Sequence, residues 1–282
     1  MNGPRELIPA LDKLGFVVEE ELATVLYLLL QLEKPLLLEG NPGVGKTQVA
    51  YILSKYLDYE LIRLQCYEGL DVNNAIYEWN YQKQLLAIKI HEQSSISEKE
   101  KEEMIFGEDY LLKRPLLQAI TSEKRKVLLI DEIDRADEEF EAFLLELLSD
   151  FQISIPELGT IKAKHRPIVV LTSNRTRELS DALKRRCLYH WVEYPSLDKE
   201  MKIIKKHLPD IEAHLAEQIA DYVQKIRALK LDKSPGIAET IDWAKGIALF
   251  PQTDQAFYKS LSCLLKSDQD IKTVAEALFS PA

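Results

Sequence analysis

Residues 35–47 carry the clearest indication of the fold and have the sequence Pro35-Leu36-Leu37-Leu38-Glu39-Gly40-Asn41-Pro42-Gly43-Val44-Gly45-Lys46-Thr47. Its apolar residues 35–38 predict a short buried strand, and apolar residues at helical spacing from Lys46 to Leu57 predict a helix. Between them, Gly40-Asn41-Pro42-Gly43-Val44-Gly45-Lys46-Thr47 matches G-x-x-x-x-G-K-[ST] in full. Three of the chain's ten glycines lie in this loop. The stretch therefore predicts the strand, loop and helix of a phosphate-binding loop.

The residue types of this loop suit a nucleoside triphosphate. Glycines let backbone N–H groups wrap the phosphates, and the start of the following helix adds positive potential. Lys46 is expected to reach the β- and γ-phosphates, and Thr47 is expected to bind Mg²⁺. We therefore predict that residues 40–47 bind ATP with Mg²⁺. The alternative for the loop alone is a glycine turn at a helix start.

A second motif places two carboxylates at the end of an apolar strand, since Val127-Leu128-Leu129-Ile130 is followed directly by Asp131 and Glu132. Asp131 is expected to hold Mg²⁺ through water. Successive strand residues point to opposite sides, so Glu132 can polarise a water that attacks the γ-phosphate. Alone, the pair is better explained as a solvated strand end opening a helix. Beside the phosphate loop, we interpret it as catalytic.

A third polar stretch, Thr172-Ser173-Asn174, follows the apolar run Ile168–Leu171. A side-chain amide at this strand end could orient the attacking water, and Asn174 is therefore a candidate catalytic residue. Taken alone, an ordinary turn asparagine is the better explanation.

The other apolar runs indicate an α/β fold. Leu61–Leu64 and Ile168–Leu171 predict buried strands, with helical patterns between them, and hence a parallel sheet flanked by helices. From about Ser196 only helix-period patterns remain, which predicts a smaller all-helical domain. We expect a helical lead-in over residues 1–34, a nucleotide-binding core over 35–195 and a helical lid domain over 196–282.

Two elements within the core are predicted in more detail. A helix over Asp137–Ser149 turns Phe140, Phe143 and three leucines to one face, and acidic residues in its first turn favour the helix dipole. After it, residues 151–155 and 160–164 predict a β-hairpin around a four-residue turn, 156–159.

One stretch departs from this packed pattern. Glu92–Asp109 contains seven acidic and two basic residues, a net charge of −5. It is predicted to be an inserted, solvated and partly mobile stretch.

The composition excludes several classes of protein. With 282 residues, 46% hydrophobic and 29% charged, the chain has the values of a folded globular protein. Cys66, Cys187 and Cys263 lie far apart and the histidines show no ligand spacing, so no disulfide framework or transition-metal site is predicted and a cytoplasmic location fits best. The apolar run Leu22–Leu30 is too short to span a bilayer, so no membrane insertion is expected. A net charge of −10 disfavours nucleic acid as a partner.

Together these motifs resemble the AAA+ ATPases, and within them the MoxR group, with greatest likeness to its CoxD-like members. The likeness runs from about Gly15 to Phe250. It rests on the Walker A loop at Gly40–Thr47, Walker B at Val127–Glu132 continuing as Ile133-Asp134-Arg135-Ala136, and the sensor 1 position at Asn174. The subgroup rests on distinctive segments: Leu64-Gln65-Cys66-Tyr67-Glu68-Gly69-Leu70, Ile155-Pro156-Glu157-Leu158-Gly159-Thr160 and Asp181-Ala182-Leu183-Lys184-Arg185-Arg186-Cys187.

The resemblance implies an AAA+ core with a helical lid, assembled as a ring of six subunits. An insertion in the second helix would span about residues 67–115, and the hairpin at about 151–164 would precede sensor 1. Arg186 falls at the position of the arginine finger, with Arg185 as fallback; the alternative is a basic helix end. Arg135 is another interface candidate.

The resemblance also implies a cellular role. MoxR-like ATPases typically act with a partner that has a von Willebrand factor A domain. CoxD-like members are linked to the maturation of molybdenum hydroxylases such as carbon monoxide dehydrogenase. A chaperone-like remodelling factor for a protein client is therefore expected.

One position departs from the family pattern. MoxR relatives commonly have an arginine, called sensor 2, after Ser-Pro in the lid, where this chain has Ser234-Pro235-Gly236. No residue is assigned to that role. The alternating Tyr77, Trp79 and Tyr81 of the insertion are better explained as buried aromatic packing than as a substrate grip.

Two other functions remain as alternatives. One is a nucleic-acid motor or loader, since related branches with the same insertion include helicases and Lys162, Lys164 and Arg166 adjoin the hairpin. The other is a scaffold that binds nucleotide without turnover, which Glu132 disfavours.

Overall fold

The computed structural model describes residues 3–91, 97–155, 158–250 and 254–279. They divide into two compact units. One is formed mainly by Glu21–Glu39 and Thr47–Trp191, and the other by Arg5–Glu20, Gly40–Lys46 and the chain from Val192 onward.

Strands and helices are interspersed up to Val192, and the described residues after Val192 contain helices without strands. The strands are β1 (Leu36–Gly40), β2 (Leu61–Gln65), β3 (Tyr77–Trp79), β4 (Leu111–Lys113), β5 (Val127–Asp131), β6 (Gln152–Ile155), β7 (Gly159–Lys162), β8 (Ile168–Ser173) and β9 (Leu188–Val192). The α-helices are α1 (Leu7–Lys13), α2 (Glu20–Leu32), α3 (Lys46–Leu57), α4 (Val72–Ile76), α5 (Tyr81–Ile90), α6 (Glu98–Ile105), α7 (Pro115–Thr121), α8 (Glu138–Asp150), α9 (Asp181–Arg186), α10 (Leu197–His207), α11 (Ala213–Arg227), α12 (Ile237–Ile247), α13 (Asp254–Lys259), α14 (Leu261–Leu264) and α15 (Asp268–Leu278). Short 3₁₀ helices lie at Pro4–Glu6, Glu108–Tyr110 and Ile133–Arg135.

A five-stranded sheet in the order β2-β5-β8-β1-β9 forms the centre of the fold. Its pairs β1–β8, β5–β8 and β2–β5 are parallel. Every residue of β1, β5 and β8 is buried, because helices cover both faces of such a sheet. The prediction of an α/β fold with a parallel sheet flanked by helices, followed by a helical region, is confirmed.

The strand order fixes where a ligand can bind. Strand β1 lies between β8 and β9, whereas the next strand in the chain, β2, forms the far edge of the sheet. Parallel sheets bind ligands beyond the carboxyl ends of their strands, where the strand order reverses. The phosphate loop and the polar residues after β5 and β8 all lie at such strand ends.

Helix α8 and the hairpin after it follow the sequence closely. Asp137 caps α8 by accepting a hydrogen bond from the backbone N–H of Phe140 at 2.8 Å, and Phe143 is only half-buried. In the hairpin, Ile155 pairs with Gly159. The predicted four-residue turn is therefore wrong, because Gly159, with φ at +74°, already belongs to β7. Residues 156–157 lie outside the described part of the chain.

The segment between α4 and α7 contains a two-stranded sheet and a cluster of aromatic side chains. Strands β3 and β4 pair antiparallel, and Trp79 packs edge-on against Tyr77 and Phe106, with ring centroids 5.8 and 5.4 Å away. The predicted aromatic packing is correct for these two residues of the triplet and wrong for Tyr81, which is 64% exposed.

The acidic stretch that was predicted to be solvated and partly mobile is more structured than expected. Residues 92–96 lie outside the described part. The rest includes α6, in which the carbonyl oxygen of the last residue, Ile105, accepts a hydrogen bond from the side chain of Gln84 at 2.7 Å. The apolar residues Ile105 and Phe106 at its end explain why this acidic helix docks.

The second unit packs its helices α10–α15 around Trp243, whose indole N–H donates to Ser260 Oγ at 2.8 Å. A buried ion pair joins α10 and α11: Arg227 donates to both carboxylate oxygens of Glu200, at 2.6 and 2.8 Å. Arg227 also donates to the carbonyl oxygen of Pro235 at 2.9 Å, which fixes the loop before α12. No helix within the described ranges is long and apolar enough to cross a membrane.

Candidate nucleotide-binding site

The phosphate loop has the backbone that its glycines allow. Gly43 and Gly45 have φ of +78° and +90°, a region that residues with a Cβ rarely adopt. The Lys46 ammonium donates to the carbonyl oxygens of Gly40 and Asn41, each at 2.8 Å. The loop therefore curls around a positive charge, which is the charge a phosphate requires.

Gly40 is required for a different reason, which is close approach of the backbone. A Cβ at this position would lie 2.3 Å from the carbonyl oxygen of Val192. Strand β9 ends at this residue, so the first glycine of the motif lets the two chain segments pass each other.

Gly236, the position at which MoxR relatives commonly have an arginine, lies in close contact with the phosphate loop. The N–H of Ile237 donates to the carbonyl oxygen of Gly43 at 2.9 Å. A Cβ at Gly236 would lie 2.7 Å from Gly43 Cα and 2.8 Å from Glu239 Oε2. The start of α12 contacts the phosphate loop through its backbone, so any residue with a Cβ at position 236 would push the two backbones apart.

A cavity of about 530 Å³ adjoins this contact. It is lined by residues 41–43 of the phosphate loop and by residues 231–236 and Glu239 of the lid. The phosphate loop therefore opens onto a space large enough for part of a small ligand.

Asp131, at the end of β5, is enclosed by hydrogen-bond donors. Its Oδ1 accepts from the hydroxyls of Thr47 at 3.0 Å and Thr172 at 2.5 Å. Its Oδ2 accepts from Nε of Arg63 at 3.1 Å and from Nη2 at 2.6 Å. The structure thus brings together the two residues that the sequence assigned to Mg²⁺, Thr47 and Asp131.

Glu132 and Asn174, the predicted base and water-orienting residue, also lie in contact. Asn174 Nδ2 donates to Glu132 Oε1 at 3.3 Å. Gln65 donates to the other carboxylate oxygen at 3.2 Å, and Arg135 lies 2.8 Å from it. Glu132 has φ of +55°, and its N–H donates to Thr172 Oγ1 at 2.9 Å. Holding a glutamate in this left-handed conformation costs about 1 kcal/mol or more, which these contacts offset.

Comparison with known proteins shows the family of the chain that carries this site. A family model described as the AAA domain of the dynein-related subfamily matches residues 35–187, which is more than half of the chain and includes every motif above. The chain belongs to this AAA family. AAA+ domains generally bind ATP with Mg²⁺ and have ATPase activity.

Individual relatives are more distant. The chain is 24% identical over 262 residues to the uncharacterized protein SH1500 of Staphylococcus haemolyticus, covering 89% of this chain and 91% of that protein. Among solved structures, a proline-to-glycine mutant of Thermotoga maritima RuvB is similar, with a TM-score of 0.52, 21% identity and coverage of 95% of this chain and 72% of RuvB. A lysine-to-arginine mutant of the same RuvB has a TM-score of 0.50 and 19% identity, covering 93% and 70%. At these identities, the likeness to RuvB shows the AAA+ fold alone.

The residues of this AAA domain fit Mg²⁺. A hydroxyl and a carboxylate oxygen 3.0 Å apart are the hard oxygen ligands that Mg²⁺ prefers, and the ion usually takes only one or two carboxylates beside phosphate oxygens. Among the residues that the structure describes, no cluster of three histidine, cysteine or acidic side chains forms a metal site. Thr47 and Asp131 are thus the pair that would hold the ion.

The predicted arginine finger has contacts with other residues. Arg186, at the end of α9, is exposed; its Nε donates to Ser149 Oγ at 2.6 Å and its Nη1 to the carbonyl oxygen of Ala182 at 3.0 Å. Arg185 is exposed beside it. Arg135, the other interface candidate, pairs with Glu132 in its own chain.

Asp134 orders the loop after β8, a role that the sequence did not predict. Its carboxylate accepts from the N–H groups of Asn174 and Thr176 at 3.1 and 2.9 Å. Burial favours a higher pKa for Asp134, but the hydrogen bonds from Thr176 and Asn174 outweigh it, so its pKa is lowered. Asp134 therefore stays ionised and fixes the backbone that presents Asn174.

Arg63 and Gln65 were also missed as parts of the site. Both are exposed residues of the edge strand β2, where they alternate with the buried Ile62 and Leu64. The sequence did contain a signal for them, because Arg63 and Gln65 are alternating polar residues at the end of a predicted strand. That strand, β2, pairs with β5, which leads to Asp131 and Glu132. The sequence, however, does not show that β2 pairs with β5.

Proposed function

We propose that this protein is a Mg²⁺-dependent ATPase that hydrolyses ATP to ADP and phosphate. The observation that carries the proposal is the pairing at two neighbouring strand ends, Thr47 with Asp131 and Glu132 with Asn174, at 3.0 and 3.3 Å. The loop Gly40–Lys46 binds the phosphates. Mg²⁺, when bound by Thr47 and, through water, by Asp131, neutralises phosphate charge.

The chemical step uses Glu132 and Asn174. Glu132 accepts a proton from the attacking water while Asn174 orients that water through its side-chain amide. The water oxygen forms a new bond to the γ-phosphorus, and the bond from that phosphorus to the β-phosphate oxygen breaks. Gln65 and Arg135 hold Oε2 of the Glu132 carboxylate, which leaves an acceptor position on Oε1, beside Asn174, for the water.

We further propose that the chain works as a ring of six subunits in which Arg186 serves the neighbouring active site. Arg186 is exposed at a helix end, and its hydrogen bonds to Ser149 and Ala182 hold it in a defined position. A guanidinium supplied in trans stabilises charge on the γ-phosphate in the transition state.

The biological role follows from the resemblance to MoxR ATPases of the CoxD-like subgroup. We propose a chaperone-like factor in the cytoplasm that remodels or matures a protein complex, with a von Willebrand factor A domain protein as partner and a molybdenum hydroxylase, such as carbon monoxide dehydrogenase, as client. The support is the set of distinctive segments, which includes Gln65 beside the catalytic glutamate.

The rival function, a nucleic-acid motor, receives little support from the residues that suggested it. Lys164 pairs with Glu123, and Arg166 stacks on the ring of Phe151 at 5.3 Å, so both already have partners within the chain.

Phosphate release from ATP by the purified protein tests the proposal, measured alone, with single- and double-stranded DNA, and with a copurified partner. We expect Mg²⁺-dependent turnover that DNA leaves unchanged and the partner stimulates. Strong stimulation by DNA would instead favour the motor. Tight ATP binding without turnover under every condition would favour the scaffold.

Mixed rings test the role of Arg186. Arg186→Ala should bind nucleotide nearly as the wild type does yet lose most ATPase activity. Mixing it with Lys46→Ala subunits should restore some activity. At some boundaries a Lys46→Ala subunit then supplies its intact Arg186 to an Arg186→Ala neighbour whose phosphate loop is intact. If native mass spectrometry confirms mixed rings and no mixture regains activity, the finger assignment is wrong.

A further inference from the structure

Arg63 donates to the carboxylate of Asp131, which is also the carboxylate that would serve a bound metal. The four hydrogen bonds accepted by Asp131 come from Thr47, Thr172 and, twice, Arg63. A carboxylate has about four acceptor positions. All of them are filled by the chain itself, so a metal-bound water can reach Asp131 only after one donor leaves.

The surroundings identify which donor leaves. Thr172 is held in place because its hydroxyl also accepts the N–H of Glu132 at 2.9 Å. Thr47 is the hydroxyl that would itself bind the metal. The side chain of Arg63 is 44% exposed on the edge strand β2, and it already contacts the side chain of Gln65. It can therefore turn toward solvent without losing every partner.

We propose that Arg63 is a positioning residue that occupies Asp131 while no metal is bound and thereby sets the Mg²⁺ concentration that nucleotide binding requires. The inference rests on the proposed function, because it takes Asp131 as the carboxylate that serves Mg²⁺. The side chain of Asp131 is 3% exposed, so leaving its charge without a cation is costly. Arg63 and a Mg²⁺ ion served by the same carboxylate repel each other, so binding of one disfavours binding of the other.

Arg63→Gln tests this directly in the full chain. The measurement is the Mg²⁺ concentration that gives half-maximal binding of a fluorescent ATP analogue. Without the competing guanidinium, this concentration should fall about fivefold or more. Arg63→Lys should lower it about twofold, because an ammonium makes only a single-point contact. Arg114→Gln is the matched control, since Arg114 is 46% exposed and also pairs with a carboxylate, that of Glu78; it should leave the value unchanged.

Thermal melting gives a second readout that does not depend on turnover. In EDTA without nucleotide, Arg63→Gln should melt below the wild type, because Asp131 loses its cation. Adding Mg²⁺ with ADP should then raise its melting temperature by more than it raises that of the wild type.

The outcomes distinguish a failure of the role proposed for Arg63 from a failure of the proposed function. A wild type that binds nucleotide with Mg²⁺, together with an Arg63→Gln variant whose half-saturating Mg²⁺ is unchanged or higher, overturns the role of Arg63 alone. A wild type that binds no nucleotide overturns the proposed function and this inference with it. If Arg63→Gln does not fold, the Arg63→Lys titration decides, and an unchanged value counts against the proposal.

Discussion

The strand-end site and the segment between α4 and α7 are built in opposite ways. At the strand ends, Asp131, Glu132 and Asp134 each accept hydrogen bonds from residues far away in the chain. In the segment, helix α5 buries only Gln84 and Ala87. Its other faces present large apolar side chains to solvent: Tyr81, Leu85, Leu86, Ile88 and Ile90. Substitutions at the site should therefore change chemistry, whereas substitutions on the exposed faces of α5 should leave folding and nucleotide binding intact.

The largest effect is expected from Lys46→Ala. It removes the positive charge around which the phosphate loop curls, so ATP affinity should fall roughly 100-fold or more, or about 2.7 kcal/mol. Binding of a fluorescent ATP analogue measures the change. Lys55→Ala, on the exposed side of the same helix, should bind as the wild type does. Normal binding by Lys46→Ala would show that the loop is not the phosphate site.

Glu132→Gln should separate binding from chemistry. Glutamine keeps the shape and some hydrogen bonds of Glu132 but cannot accept the proton, so turnover should fall by roughly 10² or more. Phosphate release and ATP binding are measured on the same preparation. Glu138→Gln, an exposed carboxyl in the first turn of α8, serves as control. Unchanged turnover would show that another residue acts as the base.

A smaller effect is expected from Gly236→Ala. The new Cβ would lie 2.7 Å from Gly43 Cα, so the lid and the phosphate loop must move apart. We expect ATP affinity to fall about three- to tenfold, as typical of a strained close contact. Gly246→Ala on the same helix is the matched control, because its Cβ meets only Cys263 Sγ at 3.4 Å. Equal affinities for the two variants would contradict a role for the Gly43–Gly236 contact.

The sequence predicted the parts of the molecule that local patterns determine. Strands β1, β5 and β8 begin with unbroken apolar runs, and α3 has the predicted bounds, Lys46–Leu57. The phosphate loop and the acidic strand end each consist of consecutive residues, so their chemistry could be predicted without knowing where they lie in the fold.

What the sequence could not predict depends on which segments meet. Arg63 contacts Asp131 only because β2 pairs with β5, and Gly236 is needed only because α12 begins against Gly43. The hairpin turn was misjudged by one residue because Gly159 extends β7 in a left-handed conformation. Tyr81 was grouped with its aromatic neighbours, although it is the first residue of a helix rather than part of β3.

The smallest effect is expected from Leu85→Gln and Ile88→Gln on the exposed side of α5. These side chains are 60% and 47% exposed, so polar replacements remove little buried apolar area. The free energy of unfolding should change by no more than about 0.5 kcal/mol in each variant, and ATP affinity should not change. Ala87→Gln is the control on the opposite side of the same helix, where the side chain is 7% exposed. Its larger, polar side chain must enter a packed space, so it should destabilise the protein by about 1 kcal/mol or more. Urea unfolding of the three variants measures the difference. A loss of stability in Leu85→Gln equal to that in Ala87→Gln would show that α5 is packed on both sides, and the contrast between the two regions would then fail.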